Sequence, residues 1–324
     1  SRSAIKFVNL KYNKYQVDKY NLIPIGKDVL TSYQSINQMD QLSRDISDGF
    51  KKLKLKSPVA TFLPYSSIII KEIIVPVFKN EFQLKDHLSE FIINNIGNGN
   101  QQNFDFDFEV LELLKEDTQK VKIVVANKEI SEDYLALFQL ASLNVEVFDI
   151  EAFAVGYLTE ELLKRKENNV PVMLVDIGVN YIKLYSFIDN NNVYYGTHKI
   201  DYKELFTSFV LNNQLFENID LSSLNYVEKI YSEIERLNIN STILSDYFIQ
   251  DIKKIIISAK SHMLIDKKVS IEDFDLYLMG GYSLLPNLLK DIKETGFSSN
   301  VNYIKSLFES EENKNIPLNQ FVRI

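Results

Sequence analysis

The sequence predicts an α/β protein of two domains, with an α+β module of roughly ninety residues inserted into the first. Three observations carry this. The 324 residues exceed what one hydrophobic core usually serves. Short β patterns alternate with helical ones along the whole chain. A hairpin near the N-terminus is echoed by a second one near residue 185.

The elements follow in order. Ile5–Leu10 and Gln16–Leu22 read as two strands joined by the polar turn Lys11-Tyr12-Asn13-Lys14. Lys27–Phe50 contains at least one helix, and Lys51, Lys52, Lys54 and Lys56 form a short basic stretch read as a solvated element end. Val59–Leu63 and Ile68–Val75 are strands, and Phe82–Ile93 has helical spacing. Ile96–Gln102 is a polar loop. Phe104, Phe106, Phe108 and Val110 alternate with acids, the period of a half-buried strand. Lys120–Ala126 is a strand, Glu129–Leu140 a helix and Val145–Phe148 a strand. A helix then runs from Glu151 to about Leu163. Val172–Val175 is a buried strand, and Tyr181–Ile188 and Val193–Lys199 form a hairpin around Asp189-Asn190-Asn191-Asn192. Two or three helices occupy Tyr202–Met263. Leu276–Met279 is a buried strand, and a helix runs from Ser283 to about Glu294.

Composition excludes several function classes. With no cysteine there is no disulfide, thiolate metal site or cysteine nucleophile. His87, His198 and His262 are scattered, which argues against histidine metal sites and serine–histidine machinery. No run of eighteen apolar residues marks a transmembrane helix, and Ser1-Arg2-Ser3 does not open a signal peptide. A formal charge of -8 argues against nucleic acid as a main partner and fits a cytosolic protein.

The two hairpins are similar in sequence. Ile5–Leu10, a polar turn and Tyr15-Gln16-Val17 echo Ile182–Phe187, a polar turn and Asn192-Val193-Tyr194. A buried strand ending in Asp-x-Gly precedes the second copy, whereas only Ser1-Arg2-Ser3 precedes the first. The expectation is a chain cut ahead of its first strand.

Two strand ends concentrate three of the ten glycines. Asp176-Ile177-Gly178 closes a buried strand in a tight turn. There, glycine lets backbone N–H groups approach phosphate oxygens, and a carboxylate holds magnesium through water. Gly280-Gly281-Tyr282-Ser283 joins a buried strand to a helix, so that a ribose or phosphate can lie against bare backbone. The competing reading makes each a simple connecting turn, with Asp176 capping local amides. Open α/β sheets bind ligands at strand carboxyl ends, and both motifs sit there. Glu151 opens a helix, where a carboxylate either orients water against a terminal phosphate or complements the helix dipole.

With these motifs the chain resembles the FtsA/PilM family of the actin-like ATPase superfold, in its type IV pilus branch. Val59–Pro64 and Ile73–Pro76 resemble the family's paired strands around its inserted subdomain. Ala126–Glu129 and Leu140–Leu143 resemble that subdomain's final strand and helix. Phe148-Asp149-Ile150-Glu151-Ala152 resembles its Val-Asp-x-Glu-Ala connection. Leu278–Leu288 resembles its adenosine motif, Gly-Gly-x-Ser/Ala-x-Leu-Pro-Gly-Leu. The resemblance implies an actin-like (ribonuclease H-like) two-domain fold. Its parts would be a first domain over 1–56, an inserted α+β subdomain over 57–149, and a second domain over 150–324.

It also implies ATP and Mg2+ as ligands, with at most weak hydrolysis. Asp176, Gly178 and Asn180 would form the second phosphate motif, Asp176 holding magnesium through water. Gly280, Gly281 and Ser283 would line the adenosine pocket, and Glu151 would position water. Ser1, Ser3 and Lys6 would be the tail of the first phosphate motif, whose Asp-x-Gly is not in this chain. Other departures are Ile200-Asp201-Tyr202 in place of a Gly-Gly, no recognisable Ala-Glu-x-x-Lys motif in Leu221–Leu237, and Asn287 where a glycine is usual. The chain ends at Phe321-Val322-Arg323-Ile324, short of the family's closing helix.

The partner implied is the cytoplasmic N-terminal tail of a PilN-like bitopic membrane protein, gripped near Ser57–Asp149. That would place the protein in the cytoplasm, peripheral to the inner membrane. Other inner-membrane and motor components of the pilus follow from the same resemblance, and self-association is left open. The alternatives are a nucleotide-free scaffold with the same partners and an FtsA-like division protein.

Overall fold

The computed structural model describes residues 4–11, 17–25, 36–56, 58–63, 67–96, 103–114, 117–165, 170–178, 181–200, 209, 212, 226–266, 268–296, 298 and 300–307. The turn expected at 12–14, the loop at 97–102 and the candidate residues Ser1, Ser3 and Asn180 lie outside them. The chain divides into two compact units, one of residues 3–24 with 152–324, the other of residues 25–151.

The first unit is built on a five-stranded sheet. Its strands are β8 (Val172–Ile177), β9 (Tyr181–Ile188), β10 (Asn191–Lys199), β11 (Asp275–Met279) and β12 (Asn300–Tyr303), in the order β10-β9-β8-β11-β12. Counted within the sheet this order is 3-2-1-4-5. Strand β9 is antiparallel to both β10 and β8, and β8, β11 and β12 run parallel. This is the ribonuclease H-like arrangement. All six residues of β8 are buried, as a central strand covered on both faces requires.

One face of the sheet presents Met173, Val175, Ile177, Ile182 and Leu184 to a helical layer. Two helices supply most of it, α5 (Tyr226–Arg236) and α6 (Thr242–Asp266). Leu244, Phe248, Ile252, Ile256, Ala259 and Met263 recur every three or four residues along α6 and pack into this core. Each large side chain so buried stabilises the unit by about 1.5–3 kcal/mol. Helix α4 (Glu151–Arg165) meets the sheet where Glu160 Oε1 accepts the Asn192 N–H at 2.6 Å. The N-terminal hairpin, β1 (Ala4–Leu10) with β2 (Val17–Pro24), is antiparallel and forms its own two-stranded ladder.

The second unit holds helix α1 (Met39–Lys52), the parallel pair β3 (Val59–Leu63) and β7 (Val145–Ile150), and an antiparallel sheet. That sheet is β4 (Ile68–Pro76), β6 (Thr118–Asn127) and β5 (Phe104–Leu113), in the order β4-β6-β5. Helix α2 (Glu81–Asn95) is capped by Asn80, whose side chain accepts the Gln83 N–H at 3.0 Å. It lays Leu84, Leu88 and Ile92 on Val121, Ile123 and Val125, the alternate residues of β6. Phe104, Phe106 and Phe108 join that core, while Asp105, Asp107 and Glu109 face out, as the period-two pattern predicts; Val110, the last of that series, is instead exposed, where the ladder shifts register. Helix α3 (Lys128–Leu140) follows β6 directly, capped by the Asn127 side chain. Among the described residues no helix is long and apolar enough to cross a membrane.

Two expectations need correction. The helix predicted from Ser283 is a 3-10 turn over Gly281–Leu284, and α7 begins only at Leu288 (Leu288–Glu294). Pro286 has no N–H to continue a helix, and Asn287 takes a left-handed φ of 67. The four-residue turn expected at Asp189–Asn192 is a two-residue one. Asp189 and Asn190 adopt φ of 50 and 61, and Asn191 already pairs with Ile188.

Candidate functional site

The parallel ladder between β8 and β11 brings the two glycine motifs to one place. Asp176 is opposite Met279, so Gly280 lies just past the end of β11, beside Asp176 and Ile177. A methyl group on Gly280 would overlap Asp176 Oδ1 and the Ile177 carbonyl. Its backbone, at φ 87 and ψ 159, is one that essentially only glycine adopts. Glycine is therefore required twice here, by conformation and by space.

Asp176 is a buried residue. Across the ladder from β8 to β9 its partner is Lys183, whose Nζ stands 3.6 Å from Oδ2. Both side chains are largely buried, at 15% exposure for Lys183 and 12% for Asp176. Sequence reading missed Lys183. The signal was in the hairpin echo, which sets Ile182-Lys183 against Ile5-Lys6.

Past the strand end, the Gly178 N–H donates to the Tyr181 carbonyl at 3.0 Å and closes the turn into β9. The turn after β11 is held still more firmly. Ser283 Oγ donates to the Gly280 carbonyl at 2.7 Å, and the Ser283 N–H reaches the same oxygen at 3.2 Å. The Tyr303 hydroxyl donates to the Ser283 carbonyl at 3.3 Å. Tyr282 is buried against Phe248, with ring centroids 5.6 Å apart. Ser283 is fully buried, and its hydroxyl shapes the turn from within.

The structure thus groups Asp176, Gly178, Gly280, Gly281 and Ser283 at the carboxyl end of one sheet. Lys6 is exposed on β1, in the separate hairpin, and Glu151 opens α4 where the two units divide. Among the described residues, no three acids or histidines gather as a metal cluster. His87 lies against Phe78 and His262 against Tyr194, each pair with centroids 5.0 Å apart, and His198 stands 3.7 Å from Asp251.

A 3-2-1-4-5 sheet with glycine turns at the ends of its parallel strands defines an actin-like α/β protein. Its sequence matches the profile of the type IV pilus assembly protein PilM over residues 1–316, and the chain belongs to that family. Among solved structures it is similar to the PilM-PilN type IV pilus biogenesis complex. The TM-score is 0.74 at 18% identity, covering 99% of this chain and 94% of that one. It is more distantly similar to the ethanolamine utilization protein EutJ from Carboxydothermus hydrogenoformans, with a TM-score of 0.48 at 11% identity, covering 99% and 86% of the two chains. A Bacteroides thetaiotaomicron protein with an actin-like ATPase fold gives 0.40 at 12% identity, covering 97% and 91%. No curated protein matches the sequence.

Proposed function

We propose that the protein is an ATP-binding assembly scaffold of a type IV pilus or related machine. In this reading it works in the cytoplasm, held at the inner membrane by gripping the N-terminal tail of a PilN-like partner. The observation that carries the nucleotide half is the shared strand end. Asp176 and the bare backbone of Gly280 meet where an open sheet presents its ligand crevice.

The residues fit the group. A single carboxylate suits magnesium, which keeps most of its waters and takes one or two carboxylates beside phosphate oxygens. Asp176 would meet it through water, with Gly178 and Asn180 on the phosphate side. Gly280 and Gly281 would floor the adenosine side, on the turn that Ser283 braces. Lys6 with Ser3 would border the phosphates from the first hairpin, and Glu151 would position water. Hydrolysis is at most slow.

The partner half rests on family membership and on the assembly that the PilM-PilN structure names. An extended tail is held by main-chain hydrogen bonds with a few apolar pockets, near Ser57–Asp149.

Calorimetric titration of ATP with magnesium into the protein and into Asp176→Ala tests the reading. Micromolar binding that the variant loses supports it. An absence of both heat and thermal stabilisation in the unaltered protein would sink the nucleotide half and leave a scaffold.

A further inference from the structure

The residues grouped at the ends of β8 and β11 comprise one carboxylate, a serine and several glycines, in a chain of formal charge -8. A nucleoside polyphosphate is itself strongly anionic, and a site whose own charge is negative repels it. Among the described residues, Lys183 is a cation that stands at this end of the sheet. It projects from β9 directly opposite Asp176, and its ammonium stands 3.6 Å from Oδ2.

Three features set this lysine apart from an ordinary surface ion pair. It is 15% exposed, so its charge acts where water screens little. The separation is longer than the 2.7–2.9 Å of a tight charge-assisted hydrogen bond, so the contact with Asp176 is electrostatic. Finally, the carboxylate it faces is the one whose other oxygen lies over the bare Gly280 backbone. A lysine ammonium carries three donors on a flexible stem and is a recurrent phosphate ligand.

We propose that Lys183 is a phosphate-contacting residue of this site, donating from its place beside Asp176 to the oxygens of a bound nucleoside polyphosphate. The proposal rests on the nucleotide reading above. It assigns the phosphate side of the site a cation from the chain itself, in the sheet that carries Asp176. The hairpin echo gives it a counterpart, since Lys6 occupies the same position in the first hairpin.

The test compares ATP and AMP, each with magnesium, by calorimetry on the unaltered protein, Lys183→Met and Lys183→Arg. Loss of one charge-assisted contact weakens ATP binding in Lys183→Met about ten- to a hundredfold. AMP, with fewer phosphate oxygens to reach it, changes by less than about threefold. Lys183→Arg restores most of the ATP affinity. Two results overturn the assignment while leaving the nucleotide reading intact. One is ATP binding by Lys183→Met at the unaltered strength. The other is an equal loss of ATP and AMP, which marks a pair that only holds the strand ends. If the unaltered protein binds neither nucleotide, the reading falls and the assignment falls with it. Should Lys183→Met not fold, Lys183→Gln keeps a polar, uncharged end on a stem one atom shorter, and the same two ratios decide.

Discussion

The α-carbon of Gly280 lies against the carboxylate of Asp176, so the ends of β8 and β11 touch through a residue with no side chain. Two constraints coincide at that point. The backbone of Gly280 sits at φ 87 and ψ 159, and the space where a Cβ would go holds Asp176 Oδ1 and the Ile177 carbonyl. A side chain here would push on the very carboxylate proposed to face magnesium.

Gly280→Ala is therefore expected to cost about 3 kcal/mol or more, through strain and overlap together. Gly296→Ala separates the two. Gly296 also has a positive φ, 66, but nothing lies within 4 Å of its would-be Cβ. It should lose only the conformational term, about 1–2 kcal/mol. Urea unfolding of both variants checks this, and equal losses would refute the crowding argument.

Ser283→Ala probes the turn that supports Gly280. The variant loses a buried hydrogen bond of 2.7 Å, yet the Gly280 carbonyl keeps the Ser283 N–H at 3.2 Å. Since the acceptor is not orphaned, the cost should be about 1 kcal/mol, not the larger penalty of an unsatisfied group. Because the hydroxyl points into the turn, nucleotide affinity should fall less than about threefold. A tenfold loss with unchanged stability would mean that the hydroxyl meets the ligand.

These relationships were unevenly legible in the sequence. Strong periods were plain. Phenylalanine alternating with acids gave β5, and the apolar run ahead of Asp176 gave β8, because burial on one face or on both dictates those patterns. Strand β12 was missed. Asn300–Tyr303 is short and mostly polar, and it earns its place only by parallel pairing with β11. The early helix start at Ser283 came from reading a cap where Pro286 and Asn287 first impose a bend. Lys183 was missed for a different reason. The hairpin echo marks it, but its importance depends on the register that sets it opposite Asp176, which the echo alone does not give.

Asp275, the first residue of β11, gives a pH dependence. Burial raises its carboxyl above the ordinary aspartate value. A hydrogen bond with Asn300 partly offsets this, and nearby Asp273 adds to it. A folded-state pKa above the unfolded one means that the folded protein holds the proton more tightly. Its contribution is favourable at low pH and is lost as pH rises through the folded value. Asp275→Asn removes that loss and keeps a side chain able to pair with Asn300. It should raise Tm at neutral pH by about 1–2 °C, the site being partly solvated. The gain should shrink as pH falls toward the ordinary aspartate range. A gain that is constant with pH would point to packing instead of charge.

Asn287 stands where the resemblance to the adenosine motif implies a glycine, and its φ of 67 lies in the left-handed region. The position just before α7 needs the left-handed region, which asparagine enters more readily than any residue with a larger or branched side chain. The side chain makes no capping hydrogen bond to the helix, so little is lost with it. Asn287→Gly should therefore be neutral or stabilising by up to about 1 kcal/mol, as glycine's freedom in the unfolded chain offsets part of its ease in this conformation. Asn287→Val should cost about 1–2 kcal/mol, since a β-branched residue resists positive φ. Thermal unfolding of the two variants side by side reads the difference. A valine tolerated as well as glycine would show that the start of α7 adjusts freely, and that Pro286 alone sets where the helix begins.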